Sequence, residues 1–464
     1  MAEPKIFAWL SSLLRKLFGR KFAAIAFNDQ GLAKRAKRDL DGALADFDRA
    51  IELNPNLAGA YNNRGDIKRA KGDFDGALTD FNIAIEKNPK LSPAYNNRGR
   101  AKKGKRDFEG AIADFNKAIE INPNSAEAYN NRGIAKRIKG DPDGAIVDFD
   151  KAIELKPNMV EAYSNRGLVR KDKGDLDGAM ADYSRALVLN PTKPEVYNNR
   201  GEIKREKDDL DGAMVEYNRA IELKPDLAWA YNNRGEVKRI KGDFEGALAE
   251  YTKAIELKPD FPAFYNNRGV AKKDKNDLDG ALADLNKAIE LKPDLVLAYN
   301  NRGIVKIDKH DLDGAVEDLN KALALKLNYP EAYNNRGIVK KEKGDLEGAI
   351  ADYNKAIELK PTLAEPYSNR GDAKRIKGDL DGALADCNKA IELKPKLAGA
   401  YNNRGGARHK KGDLEGAMAD FNKAIELKPE LDEAYKRRGS LKEVQGDLAG
   451  AKADYDKAAE LTAK

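Results

Sequence analysis

Residues 61–99 read YNNRGDIKRAKGDFDGALTDFNIAIEKNPKLSPAYNNRG, and the second YNNRG begins 34 positions after the first. The interval recurs along the chain. Tyrosines follow it from Tyr61, Tyr95 and Tyr129 to Tyr401 and Tyr435, and Phe27 opens the series, giving 13 units without insertion or deletion. Four residues after each aromatic stands a glycine, from Gly31 to Gly439, and a second glycine precedes an alanine, as in Gly76-Ala77 and Gly110-Ala111. Each unit thus holds two apolar-periodic segments of about a dozen residues. In the unit from Tyr61 the pair Gly72-Asp73 breaks the segments apart and Pro89 ends the second, which predicts helix, turn, helix. Asp73 is placed to cap the second helix. The glycine and the small alanines let two antiparallel helices approach closely, with Leu78, Phe81 and Ile85 filling the space between units. One such pair cannot bury its apolar face alone, so stacked neighbours must complete each core.

This period, with the pattern Tyr-x-x-x-Gly, Gly-Ala, aromatic, Ala, Pro, resembles the tetratricopeptide repeat over residues 25–462. The resemblance implies an all-α fold, an α-α superhelix or solenoid of about 13 helix-turn-helix repeats. It further implies that the superhelix is right-handed and that the first helix of each pair lines an inner groove.

The chain departs from that family's pattern at one position. Where the family commonly has leucine before the first glycine, this sequence has Arg64, Arg98, Arg132 and onward to Arg438. That position lies on the tyrosine's side of the helix, facing the second helix, so a guanidinium there needs a partner. An acid just before the bulky residue of the second helix supplies one, from Asp80 and Asp114 through Glu216 and Glu250 to Asp454. One Arg-to-acid bridge per unit is therefore expected, serving alignment more than net stability because desolvation offsets the attraction.

Rotation by 3.6 residues per turn places the second asparagine of Tyr-Asn-Asn-Arg-Gly on the inner face. The rungs are Asn63, Asn97, Asn131, Asn165, Asn199, Asn233, Asn267, Asn301, Asn335, Asn369 and Asn403. In tetratricopeptide domains a similar ladder binds the backbone of an extended peptide, which is what the resemblance implies here. A carboxamide both donates and accepts, so it can serve peptide N–H and C=O groups without demanding a particular side chain. Beside the ladder run Ile134, Ile138 and Leu168, and a larger apolar group from Trp229 and Ile240 through Val270, Leu297, Ile304 and Ile307 to Ile338. Trp229 and Ile304 are the expected anchors for a partner segment.

The ends differ from the interior. Lys452 and Ala459 replace larger apolar residues in the last unit, and Asp29-Gln30 replace Asn-Arg in the first. Ahead of the array, residues 1–24 form a separate segment before the repeats of 25–464. In it Ile6, Phe7, Leu10, Leu13, Leu14, Leu17 and Phe18 fall at helical spacing beside Lys5, Arg15, Lys16, Arg20 and Lys21. This basic amphipathic helix either caps the first repeat or, with Trp9, lies on a membrane surface through residues 1–22. Its basic residues follow the apolar ones, unlike a secretory leader, so its retention is expected.

Catalysis is not expected, and neither a metal, a cofactor nor a small-molecule substrate is implied. His310 and His409 lie almost three units apart, no phosphate-cradling G-x-x-x-x-G-K-S/T occurs, and the carboxylates recur in every unit. Cys387, the sole cysteine, fills a bulky slot and excludes an internal disulfide. With 84 basic and 77 acidic residues the chain has little pull toward nucleic acid. The reading is a cytoplasmic, non-catalytic scaffold for a protein or extended peptide. Its alternatives are a nucleic-acid-binding repeat protein and a scaffold tethered at the membrane periphery.

Overall fold

A computed structural model describes residues 3–462, with side chains from residue 16 onward except those of Leu17 and Phe18. Its 26 helices, and no strand among the described residues, make 13 antiparallel pairs. Helices α1 (Glu3–Ala36) and α2 (Leu40–Leu53) form the first pair, α3 (Ala58–Ala70) and α4 (Phe74–Lys87) the second, α5 (Ser92–Gly104) and α6 (Phe108–Ile121) the third. The all-α solenoid expected from the repeat is what forms. The chain divides into two compact units, residues 1–230 and 231–464, each described by itself.

Local chemistry sets the ends of each pair. The Asp73 carboxylate accepts a hydrogen bond from the Gly76 backbone N–H at 2.8 Å, satisfying a donor that the first turn of α4 leaves open. Gly72 turns the chain with φ +86°, a left-handed conformation that glycine adopts without steric cost. Arg38, Arg106, Asp208, Asn276 and His310 hold the equivalent place with φ between 59° and 65°.

Packing then joins pairs to one another. A methyl group added at Gly65 would lie 2.8 Å from the Phe81 ring, so the glycine is what lets α3 and α4 cross there. Phe81 is fully buried and shares one apolar cluster with Ala77 of its own pair and Ala101 of the next. Tyr61 packs with Ala84 of its own pair and Ala94 of the next. Burying a phenylalanine side chain contributes about 1.5–3 kcal/mol, and each pair obtains this only through its neighbour. At the far end Lys452 and Ala459 are exposed, as a terminal face requires.

Helix α1 is longer than the other first helices. The register of α3 places the start of the first repeat helix at Ala24, yet α1 begins at Glu3 and runs to Ala36 without a break. At 34 residues it spans about 51 Å, against about 20 Å for α3. Gly19, Arg20, Lys21 and Phe22 are exposed, Phe22 at 71%. The apolar positions from Ile6 to Leu14, with Leu17, Phe18 and the cations Lys5 and Arg15, lie outside the described side chains.

Candidate peptide-binding face

In each first helix, residues three and seven after the tyrosine turn toward the second helix. Arg64 donates through Nε and Nη2 to the Asp80 carboxylate at 2.9 and 2.5 Å, and Lys68 Nζ reaches the same carboxylate at 2.9 Å. Asp80 is 1% exposed, so both cations compensate a charge removed from water. The guanidinium carbon sits 5.5 Å from the Tyr61 ring centroid. Hydrogen bonding to Asp80, foremost, raises the proton affinity of Arg64 above the ordinary guanidinium value despite burial. The same bridge forms in twelve pairs, to glutamate at Glu216 and Glu250 and to aspartate elsewhere.

The bridge does more than the sequence indicated. Nη1 of Arg64 donates to Asp48 of the preceding pair at 2.7 Å, and Arg98 and Arg132 reach Asn82 and Asn116 in the same way. One guanidinium therefore ties its own second helix to that of the preceding pair. The signal for this was an Asn or Asp directly after the bulky residue, as in Phe81-Asn82.

The asparagines are likewise bonded across pairs. Asn97 Nδ2 donates to Asn62 Oδ1 of the preceding pair at 3.0 Å, and Asn62 Nδ2 donates to Asn63 Oδ1 at 3.2 Å. Equivalent donations run from Asn131, Asn165, Asn267, Asn301, Asn335 and Asn369. Asn63 donates to Asn28, and Asn403 to the Ser368 hydroxyl. The first asparagine of the motif is mostly buried, as at Asn62, Asn130 and Asn300, while all eleven rungs of the ladder are half-buried. A carboxamide has two N–H donors and two acceptor lone pairs. A rung that donates once and accepts once keeps one of each for a guest.

Clefts among the described residues of this face include three. One, of about 530 Å³ in the first unit, is lined by Asn97 and Asn131 together with Asn62, Asn96 and Asn130, and by Arg35, Asp66 and Arg100. Another of about 180 Å³, also in the first unit, includes Asn165 beside Val160 and Val196. In the second unit Asn301 and Ile304 meet Val270, Val305 and Leu285 in a cleft of about 210 Å³ rimmed by Arg239, Lys273 and Asp274. Trp229 belongs to the first unit and is 39% exposed. Periodicity alone did not single out Arg100 or the buried first asparagines.

No group of acids, histidines and cysteines among the described residues is arranged to hold a metal. No described helix is long and apolar enough to cross a membrane. Cys387 is fully buried, and burial, foremost, pushes its thiol up to about 12.

Comparison with known proteins adds the following. The family described as TPR repeat matches residues 105–136, 167–204, 201–238, 235–275, 271–309, 306–344, 339–374 and 371–412. Two descriptions reading Tetratricopeptide repeat match residues 28–92, and 126–159 with 398–431. No curated protein sequence matches the chain. Among solved structures, the APC/C hetero-tetramer Cut9-Hcn1 is similar with a TM-score of 0.53 and 15% identity, over 90% of this chain and 96% of that one. Yeast Tom70 is similar with a TM-score of 0.43 and 19% identity, over 92% and 96%. At 15% identity the first likeness is one of fold.

Proposed function

The chain belongs to the tetratricopeptide repeat family, and from that premise we propose that its inner face holds an extended segment of a partner protein through the asparagine rungs. The family is one of protein-interaction scaffolds. The observation that carries the finer reading is the unused donor and acceptor on half-buried carboxamides lining open clefts. Within the first unit a guest strand pairs its backbone with Asn97 and Asn131, and within the second unit, taken by itself, an apolar side chain enters the cleft lined by Val270 and Ile304. Trp229 offers a second apolar anchor within its own unit. Because the rungs are already oriented by bonds to the preceding pair, binding costs little side-chain entropy.

The test uses peptides selected from a displayed library against the full chain. Their affinity is then measured for Asn97→Ala/Asn131→Ala and for Ile304→Asn, with crosslinking to locate them. Losses of about tenfold or more in either variant, with crosslinks on first helices, support the reading. Selected peptides that bind both variants unchanged, or crosslink only to second helices, sink it.

A second reading attaches to α1, because its described extension leaves Lys16, Arg20, Lys21 and Phe22 exposed. Residues 1–22 would then rest on an anionic lipid surface. Flotation with phosphatidylserine vesicles compares the full chain with one starting at Ala23, and equal flotation removes this reading.

A further inference from the structure

One bridging arginine of the first unit is short of acceptors. It belongs to the sixth pair, helices Pro194–Glu206 and Leu210–Leu223, which follows the fifth pair's second helix, Leu176–Leu189. Arg200, the counterpart of Arg98, makes a single hydrogen bond among the described residues, from Nη2 to Glu216 at 2.8 Å. Arg98 makes three: Nε and Nη2 hold Asp114, and Nη1 donates to Asn82 of the preceding pair. The longer Glu216 takes Nη2 alone and leaves Nε of Arg200 buried without a partner. Unmet donors on a half-buried guanidinium cost free energy that an arriving acceptor recovers.

The preceding pair withholds the other acceptor. Nη1 of Arg64 reaches Asp48 at 2.7 Å, and that of Arg166 reaches Asp150 at 2.5 Å. Even the short Thr252 hydroxyl accepts from Arg268 Nη1 at 3.2 Å. The residue at this place before Arg200 is Ser184, and it makes no hydrogen bond to the guanidinium. A cleft of about 350 Å³ opens on Arg200, lined also by Tyr197, Val215, Glu216, Arg219 and Glu222, and by none of the asparagine rungs. Val215 is 64% exposed where most pairs have alanine, as at Ala113 and Ala181. No Cα of Leu176–Leu189 comes within 8 Å of one in Leu210–Leu223, so the groove between these two second helices is open, and Pro194–Glu206, which touches both, forms its floor.

We propose that this groove between second helices receives a carboxylate side chain of a partner protein on Arg200 Nη1, with an adjacent apolar side chain of the same segment against Val215 and the Tyr197 ring. The chain itself shows which group fits, since Asp48 and Asp150 bring a carboxylate to the same nitrogen of Arg64 and Arg166. A carboxylate is favoured over a carboxamide because its bond to the guanidinium is assisted by charge on both sides. Arg200 and Lys204 share the single charge of Glu216, and Arg219 is matched by Glu222, so one further negative charge is balanced. A run of phosphates is not, because Glu216 and Glu222 line the same cleft. The site is separate from the rungs and leaves the inner face free for its own guest.

The test measures fluorescence anisotropy of the full chain with two labelled alanine-based peptides and a labelled oligouridylate. One peptide carries leucine beside glutamate, and the other has glutamine in place of that glutamate. Ser184→Asn copies the residue found at Asn82 and supplies the missing acceptor from within, without adding charge. Val215→Ala copies Ala181 and removes the apolar contact. Lys321→Gln, at an exposed cation of a second helix in the second unit, controls for general charge attraction. Circular dichroism checks that each variant folds. Expected is binding of the glutamate peptide about tenfold or more tighter than of the glutamine one, a preference lost in Ser184→Asn and kept in Lys321→Gln. Val215→Ala should weaken both peptides. The proposal is overturned if neither peptide binds, if they bind equally, if Ser184→Asn keeps the preference, or if Lys321→Gln loses it to the same degree. Oligouridylate that binds the native chain and not Ser184→Asn would assign the groove to nucleic acid and overturn it as well. Asn97→Ala/Asn131→Ala should leave the preference intact; its loss there would place the peptide on the inner face instead.

Discussion

Asn97 donates its side-chain N–H to the carboxamide oxygen of Asn62, 3.0 Å away and in the preceding helical pair. The rows of the YNN motif therefore fasten pairs together along the surface where a guest would lie. A structural duty and the proposed binding one fall on one set of side chains, and mutational tests must separate them.

Asn62 is the cleaner structural probe because it is the buried acceptor. Asn62→Ala removes the bond to Asn97 and is expected to cost about 1 kcal/mol, read as faster hydrogen exchange across α3 and α5. Unchanged exchange would mean that the bond contributes nothing to the join.

The arginine bridge gives a larger effect. Arg302 holds Asp318, 4% exposed, at 2.6 Å, with Lys306 at 2.9 Å. Arg302→Leu leaves that carboxylate with one cation and is expected to cost about 3 kcal/mol in urea denaturation. Arg302→Leu/Asp318→Leu should recover most of the loss, since the desolvated charge is gone. A double variant as unstable as the single one would show that the bridge itself carries the stability.

His310 occupies a left-handed position at φ 59° where most pairs have glycine. His310→Gly is expected to stabilise by about 1 kcal/mol, and Gly344→Ala, at φ +84°, to destabilise by a similar amount. Shifts of urea midpoint in opposite directions are the check.

Asp372 sets an acid limit on the second unit. Burial alone would raise its carboxyl, but Lys341, Arg375 and Arg437 bring it down to about 2. The folded value lies below the unfolded one of about 3.9, so its contribution is complete above about pH 4 and is lost as pH falls through about 2. Asp372→Asn should be less stable by about 2 kcal/mol at neutral pH and show a shallower loss between about pH 4 and pH 2. Parallel acid-unfolding curves for the two proteins would contradict this.

Much of the fold was readable before any coordinates. Gly65 and Phe81 announce a close helix crossing, Asp73 a cap, and Arg64 with Asp80 a bridge, because each relation lies within one 34-residue unit. That the asparagine rungs share one face of their helices follows from the same helical rotation. Their bonds do not. Asn62 and Asn97 are 35 residues apart, and periodicity gives the direction of a side chain without its partner in the next pair. That one helix, α1, runs from Glu3 through Ala24 to Ala36 was also hidden, since the composition changes there while the helix continues.

By itself the sequence determined the two-helix unit, its number and the buried and exposed sides of each helix, because helical periodicity and steric fit at Gly65 act over short stretches of chain. Only the tertiary structure decided which polar groups meet between pairs, including the gathering of Arg35, Arg69 and Arg100 around Asp66. The reason is physical: the packing of Phe81 against Ala101 fixes how far one pair slides along the next. That register, more than any local preference, selects among the partners each side chain could reach.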